Sequence, residues 1–365
     1  MNNSAEAKKA FKHCCNGSEE AFMALVPGSV NINFQIPTSE FNRLFLENPS
    51  FLHCAAAHGK EKMASLLINL GINLDLRDGK GRTAAALACY FDNPRTLEVI
   101  LQAGADPFIN DYNGYAPIHW AVWKNSIDCI KLLLNYGADP CVHNFALREP
   151  IHIAARQGFV PLIEFLLSKG ANINARTIDG RTPLYEATCA TDEATKTTGR
   201  IETVEYLLLH GADASIPDLI GRSPLHWAAF YGHLKVVQLL IEHNAEVTKA
   251  DDEGVCPIHL ACLSCVLDLV GALTNAGADL NCSDKHMRVP LHYAGKAGSL
   301  PVVKYLLARH VKTGIADDNG DLPIMVVDPQ NTEIIEEIQR HSDQSKQFMA
   351  KIQPNKAANN TSFRN

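Results

Sequence analysis

No apolar run in this 365-residue chain is long enough to span a bilayer. The opening stretch, MNNSAEAKKAFKHCCNGSEE, lacks the apolar segment that a secretory signal needs. Positive charge is in short supply: 33 Lys and Arg against 40 Asp and Glu leave a formal charge of −7, where a general nucleic-acid binder carries a basic excess. There is no glycine-rich phosphate loop, nucleophile elbow, kinase signature or His-Glu-x-x-His helix. The eleven cysteines are odd in number and scattered through apolar, helix-like contexts such as Cys54, Cys89, Cys129 and Cys189, unlike the even, spaced cysteines of a disulfide framework. These absences point away from a membrane-spanning, secreted, nucleic-acid-binding or enzymatic protein. They predict a monomer with reduced thiols, cytoplasmic or alternatively nuclear, with no cofactor and with its asparagine sequons unglycosylated.

What the chain has in abundance is itself. The stretches SFLHCAAAHG, TAAALACYFD, APIHWAVWKN, EPIHIAARQG, TPLYEATCAT, SPLHWAAFYG, CPIHLACLSC and VPLHYAGKAG start at 50, 83, 116, 149, 182, 223, 256 and 289. The spacing is 33 residues throughout, except for one step of 41 after 182. A degraded ninth copy, LPIMVVDPQN, starts at 322. Each motif is followed by an apolar triplet, such as Leu132-Leu133-Leu134 or Leu239-Leu240-Ile241, and then by a stop such as GADP at 104 and 137. Thr182-Pro183 and Ser223-Pro224 combine a hydroxyl cap with a proline in the first turn, which starts a helix. Gly59, Gly158, Gly232 and Gly298 stand where that helix ends and a left-handed residue is cheapest. The triplet belongs to a second helix, so each unit reads as helix, turn, helix, loop.

A 33-residue period carrying Thr-Pro-Leu-His-x-Ala resembles the ankyrin repeat. The resemblance implies an all-α solenoid of about nine to ten stacked helix-turn-helix units joined by β-turn or hairpin loops. Residues 50–338 form the array. Residues 1–49 hold a worn capping repeat (11–33) and an irregular joint, and TEIIEEIQ at 332–339 reads as a charged closing helix, since a terminal unit needs a polar outer face. The polar remainder, 339–365, reads as a disordered tail. The extra eight residues of the fifth repeat, at about 191–199, lengthen the turn between its helices and fit either a binding loop or a tolerated solvated one.

CPIHLACLSC poses a separate question, because Cys256, His259, Cys262 and Cys265 are ligand types that zinc prefers. Alignment places Cys256 at the helix start, His259 at the repeat's own histidine station, Cys262 at a small packing station and Cys265 at the turn glycine. At 3.6 residues per turn only His259 and Cys262 share a face, so an ion would need ligands from another unit. We therefore expect no metal site and a locally softer repeat, with Gly271 and Thr274 diluting its second helix. Six of the fifteen histidines occupy the same station, where the resemblance implies a structural hydrogen bond to the neighbouring loop.

The resemblance also implies a concave face lined by the ends of the first helices and by the loop tips. Its candidate partner-binding residues are Tyr90, Phe91, Trp123, Lys124, Arg156, Phe230 and Tyr231 on the helix ends. Arg82, Tyr115, Arg148, Arg181 and Arg222 precede helix starts, and Tyr112 and Phe145 are tip positions. This face is aromatic and cationic in an acidic chain, whereas Glu98, Asp128, Glu164 and Glu205 fall on the outer helices. Aromatic and arginine side chains anchor interfaces, and a cationic field speeds encounter with an acidic segment. Trp120 and Trp227, which follow the histidine, are expected to pack between units. The resulting expectation is a non-enzymatic scaffold or adaptor that binds a partner protein through an acidic or aromatic-binding segment. The alternatives are a sensor of a nucleotide-like or other small anionic ligand, and a substrate-recruiting subunit of a larger complex.

Overall fold

The computed structural model describes residues 4–25, 31–35, 47–190 and 198–352, and every regular element among them is an α-helix. The chain divides into two compact units, Met1–Ala190 with Thr198–Thr203, and Thr191–Thr197 with Val204–Asn365.

In the first unit, α1 (Ser4–Asn16) and α2 (Glu19–Met23) precede the repeats. Repeats 1 to 4 are the pairs α3/α4 (Phe51–Ala57, Glu61–Asn69), α5/α6 (Ala84–Tyr90, Pro94–Gln102), α7/α8 (Pro117–Trp123, Ile127–Asn135) and α9/α10 (Pro150–Gln157, Val160–Ser168). Repeat 5 contributes α11 (Pro183–Cys189), and the division between units falls within its second helix, α12 (Thr198–Leu209). The second unit holds repeats 6 to 8 as α13/α14 (Pro224–Phe230, Leu234–Glu242), α15/α16 (Pro257–Leu263, Leu267–Asn275) and α17/α18 (Pro290–Ala297, Leu300–Leu307), followed by α19 (Thr332–Ile352).

First helices stack on first helices in each unit, α3 to α11 in one and α13 to α17 in the other. Small side chains at that contact allow close approach: Ala55, Ala88, Ala121, Ala154, Ala187, Ala228, Ala261 and Ala294 are all buried. The second helices bury a narrow stripe with the period of a one-sided helix, as in Leu162, Ile163 and Leu166, or Val236, Val237 and Leu240. Only part of each apolar triplet is core, for Leu133 and Leu240 are buried while their flanking residues are partly exposed.

In every repeat but the second and fifth, which have Ala86 and Tyr185 at the station, a histidine locks the unit to the next loop. In repeat 3 the Ala116 backbone N–H donates to His119 Nδ1 (3.0 Å), so the ring proton sits on Nε2, which donates to the Arg148 carbonyl (3.1 Å). His53 reaches the Arg82 carbonyl (2.9 Å) and His226 that of Val255 (3.0 Å) in the same way. Burial depresses the basicity of these rings, taking His119 and His226 to about 4 and lowering His53 and His152 as well. The neutral tautomer is therefore part of the scaffold, one hydrogen bond in and one out.

Most loops between repeats close on an acid, with Asn144 and Thr177 taking its place in two of them. Asp111 Oδ1 accepts the backbone N–H groups of Asn113 and Tyr115, both at 2.9 Å, and Asp78, Asp218, Asp251, Asp284 and Asp317 do the same in their loops. Consecutive loops then join edge to edge: Tyr112 N–H donates to the Lys80 carbonyl (3.1 Å) and Phe145 N–H to that of Asn113 (3.3 Å). Glycine is required at this junction. Gly114 has φ +83, and a Cβ there would lie 2.6 Å from the Phe145 backbone nitrogen.

The structure departs from the sequence reading at both ends. The N-terminal helix begins at Ser4, ahead of the expected position 11. The unit starting at 322 makes a turn where the others have a helix. Met325 stands there at the histidine station, so the N-cap lock has no acceptor, and Pro329 interrupts the chain soon after. The closing helix does not stop at 339; α19 runs to Ile352 and buries Ile334 and Ile338, so the expected disorder does not apply to 339–352. Most of the insertion (191–197), much of the joint (36–46) and the end of the tail (353–365) lie outside the described residues.

Candidate functional site

The arginines that precede helix starts are largely neutralised by their own scaffold. Arg82 is 4 % exposed and donates from Nε and Nη2 to Asp78 Oδ2 at 2.9 and 2.7 Å. It is a strut of the loop, and this corrects its assignment to a contact surface. Arg222 Nε reaches Asp251 at 2.9 Å, and Arg288 Nε reaches Asp284 at 2.7 Å. The acids that sequence reasoning overlooked are the same residues that close the loops. Their signal was an Asp four positions before the arginine, as at 78 and 82, or 284 and 288.

Repeats 4 and 5 are different. Glu186, buried on α11, receives Arg148 at 2.8 Å and Arg156 at 3.0 Å. One carboxylate holding two guanidiniums leaves a single positive charge in excess, and the Arg156 side chain is 45 % exposed. Arg181 lies with its guanidinium carbon 5.3 Å from the Tyr185 ring centroid.

The aromatic candidates form a cluster in repeats 2 and 3. Tyr90 meets Phe91 at 4.9 Å and Trp120 at 5.5 Å between ring centroids, and Tyr115 meets Trp120 at 5.4 Å. Trp120 therefore belongs to this cluster, partly buried, and its buried indole N–H has no acceptor among the described residues. Trp123 and Lys124, one turn on, are exposed, Trp123 by 45 %. The tips Tyr112 and Phe145 are more exposed still, Phe145 by 71 %. Each packs over the preceding loop's glycine: a Cβ on Gly81 would meet the Tyr112 ring at 2.7 Å.

In the second unit, Trp227 lies 5.8 Å from Phe230 and 5.9 Å from Tyr231, with the Arg222 guanidinium carbon 5.3 Å from its ring centroid. Trp227, like Trp120, was expected from the sequence to pack between units; Trp120 does meet Tyr90 of the preceding repeat, while Trp227 meets the rings of its own repeat. A hollow of about 260 Å³ lies further along this unit, lined by Arg288, Lys296, His292 and Tyr293 but also by Asp317 and Asp321. Carboxylates facing the two cations weaken it as a site for an anionic ligand.

The cysteine-rich motif resolves differently from its sequence reading. Cys262 is buried in the helix stack, which pushes its thiol up, and Cys265 occupies the turn with φ +62. Neither joins His259. Instead Cys256 and Cys282 do, and all three ligating atoms lie within 4.8 Å of one another. Hydrogen bonding from the Cys282 thiol holds Cys256 well below the ordinary thiol range.

Comparison with known proteins bears on the same residues. A profile of ankyrin repeats (three copies) matches residues 10–111, 52–144, 118–218 and 192–284. The ankyrin repeat domain of human ASB11 superposes with a TM-score of 0.56 at 26 % identity, covering 63 % of this chain and 99 % of that one. Ankyrin repeat domain-containing protein 63 of Homo sapiens is 36 % identical over 63 residues, 17 % of this chain and 17 % of that protein. Tyrosine-protein kinase HTK16 of Hydra vulgaris is 28 % identical over 80 residues, 21 % of this chain and 11 % of the kinase. The chain thus spans less than a fifth of the length of these two curated relatives. No helix among the described residues is long and apolar enough to cross a membrane.

Proposed function

The chain belongs to the ankyrin-repeat family, and on that premise we propose that it is a non-enzymatic scaffold or adaptor that holds a partner protein against the ends of its first helices. The observation that carries this reading is the half-open cluster of Tyr90, Phe91, Tyr115 and Trp120 beside exposed Trp123. The repeats stack through alanines and lock through histidines, so the scaffold has no use for large rings at those stations. Rings left bare in water are a liability unless something covers them. Aromatic side chains of this kind supply much of the binding energy at protein interfaces.

Chemistry narrows the partner. Exposed Arg156 and Lys124 flank the cluster, and Glu186 leaves one guanidinium charge uncompensated. An extended segment carrying a carboxylate beside an apolar or aromatic side chain matches both features. The paired arginines elsewhere contribute shape and little net charge, which puts the aromatic rings ahead of the cationic stripe. We place the protein in the cytoplasm or nucleus, where free thiols persist.

The test is capture of partners from cell extract by the intact chain and by Trp123→Ala and Arg156→Ala. Both positions are exposed, so the fold should tolerate the changes. The proposal predicts that proteins retained by the wild type are lost from both variants. Undiminished capture by both would exclude this face.

A further inference from the structure

Repeat 7 departs from its sisters around its locking histidine, and the departures converge. In repeats 1 and 6 the helix-start residue is serine, with Ser50 Oγ 2.6 Å from His53 Nδ1 and Ser223 Oγ 2.8 Å from His226 Nδ1. In repeat 7 that station is Cys256, so a thiol replaces the hydroxyl beside the ring. A second station faces the histidine from the loop 23 residues further on. In repeat 4 it is Ala175, whose carbonyl receives His152 Nε2 at 3.0 Å. In repeat 7 it is Cys282, whose carbonyl receives His259 Nε2 at 3.2 Å. The Cys282 Sγ lies 3.8 Å from Nε2 and 3.9 Å from Nδ1 of His259. Two independent substitutions, one at the helix start and one in the loop, thus bring two thiols to a single imidazole.

We propose that Cys256, His259 and Cys282 form a binding site for a thiophilic metal ion, with zinc(II) the ion to test. Two sulfurs and one imidazole nitrogen are a donor set that zinc accepts and that magnesium or calcium, which demand oxygen, do not. Zinc holds sulfur at about 2.3 Å and nitrogen at about 2.0 Å, which sets neighbouring ligands roughly 3.5–3.8 Å apart. The three donor atoms already lie within 4.8 Å of one another, so closing on an ion asks for a contraction of no more than about an ångström. Cys282 sits in a loop and can supply that movement.

The hydrogen bonds indicate which nitrogen binds. His259 Nδ1 carries the lone pair, which now accepts the Cys256 backbone N–H at 3.0 Å. Nε2 keeps its proton on the Cys282 carbonyl, and such an outer bond is what orients a metal-binding imidazole. Binding at Nδ1 exchanges one backbone hydrogen bond for a metal bond and leaves the lock to the loop intact. Cys256 and His259 are buried while Cys282 is half-exposed, so the loop side is open to water as a fourth ligand.

The internal comparison supplies the variants. Cys256→Ser restores the residue of repeats 1 and 6, and Cys282→Ile restores the residue type of Ile315 at the same station of repeat 8, so each replacement already stands beside a station histidine elsewhere in the array. The reduced, chelator-treated full chain is titrated with zinc(II) against a chromophoric chelator, and with cobalt(II) to read thiolate-to-cobalt charge transfer. The proposal predicts one tightly held ion per wild-type chain with charge transfer from two thiolates. Affinity should fall at least tenfold in each variant, and Cys15→Ala should leave it unchanged. Zinc should raise the thermal midpoint of the wild type and of neither site variant. Failure of the wild type to take up zinc under reducing conditions would overturn the proposal. So would equal uptake by Cys256→Ser and Cys282→Ile, which would place the ion on other thiols.

Discussion

Repeats 6 and 7 stand next to each other in one unit, built on the same frame from nearly the same motif, SPLHWAAFYG against CPIHLACLSC. Both carry a buried histidine with its Nδ1 on the helix-start N–H and its Nε2 on a loop carbonyl, but repeat 6 uses Val255, 29 residues on, at 3.0 Å, and repeat 7 uses Cys282, 23 residues on, at 3.2 Å. The free stations differ. Repeat 6 spends them on Trp227, Phe230 and Tyr231, and its turn is a glycine at φ +72. Repeat 7 has Leu260, Leu263 and Ser264 there, and a cysteine forced into the same left-handed turn at φ +62. The histidine, the proline and the small packing residues therefore specify the fold. The fifth, eighth and ninth positions of the motif are where individual repeats acquire individual roles.

The shared frame predicts the largest effect. His119 and His226 fall to about 4 in the fold, against about 6.5 in an unfolded chain. The unfolded state therefore binds protons first as pH falls, and stability present above pH 6.5 is lost progressively towards pH 4. A tenfold change in proton affinity is worth roughly 1.4 kcal/mol, so each of these two rings accounts for on the order of 3 kcal/mol across that window. Urea denaturation at pH 7 and pH 5 should show a marked drop in midpoint, and a midpoint flat across this range would mean that the rings are not buried neutral locks.

Next in size is removal of a lock. His226→Ala strands the Ser223 N–H and the Val255 carbonyl and leaves a void, which should cost about 2–4 kcal/mol. His259→Ala should cost a similar amount in metal-free protein if both repeats use the same frame. A near-neutral His259→Ala would end the equivalence of the two repeats, leaving repeat 7 without a working lock.

The free stations predict a smaller and asymmetric effect on binding. Phe230→Ala should weaken partner capture by about tenfold, the scale of a moderate interface anchor, whereas Leu263→Ala should change it little. Titration against the captured partner reads this difference, and equal losses would mean that the aromatic content of repeat 6 is incidental.

The smallest effect belongs to the turn. Cys265→Gly relieves a left-handed non-glycine residue and should stabilise by about 1 kcal/mol or less. Hydrogen exchange in α15 and α16, faster than in α13 and α14 in the wild type, should slow in this variant. Unchanged exchange would assign the softness of repeat 7 to Gly271 and Thr274 instead.

The frame was legible in sequence because it is periodic. Thr182-Pro183, the histidine station and the turn glycine recur at a fixed phase, and each has a local physical reason to be where it is. What escaped was whatever depends on contacts across the period. Arg82 read as a surface cation although Asp78 stands four positions before it, because that spacing was not read as a loop-closing pair. Glu186 drew no notice in the sequence, although it gathers Arg148 and Arg156 from the preceding repeat. Cys282 lay outside the motif that drew attention to Cys256 and His259, and only the return of the loop joins them. The closing helix was cut short at 339 because the residues beyond it, RHSDQSKQ, are polar and carry no apolar period to mark its continuation.

Whether partners are held by the rings at the first-helix ends is decided by quantitative affinity purification with the wild type and with a Trp123→Ala, Phe230→Ala double variant, both checked for an unchanged thermal midpoint. A defined set of proteins should be retained by the wild type and depleted at least tenfold from the variant. The same proteins recovered in equal amount on both would contradict a role for these rings.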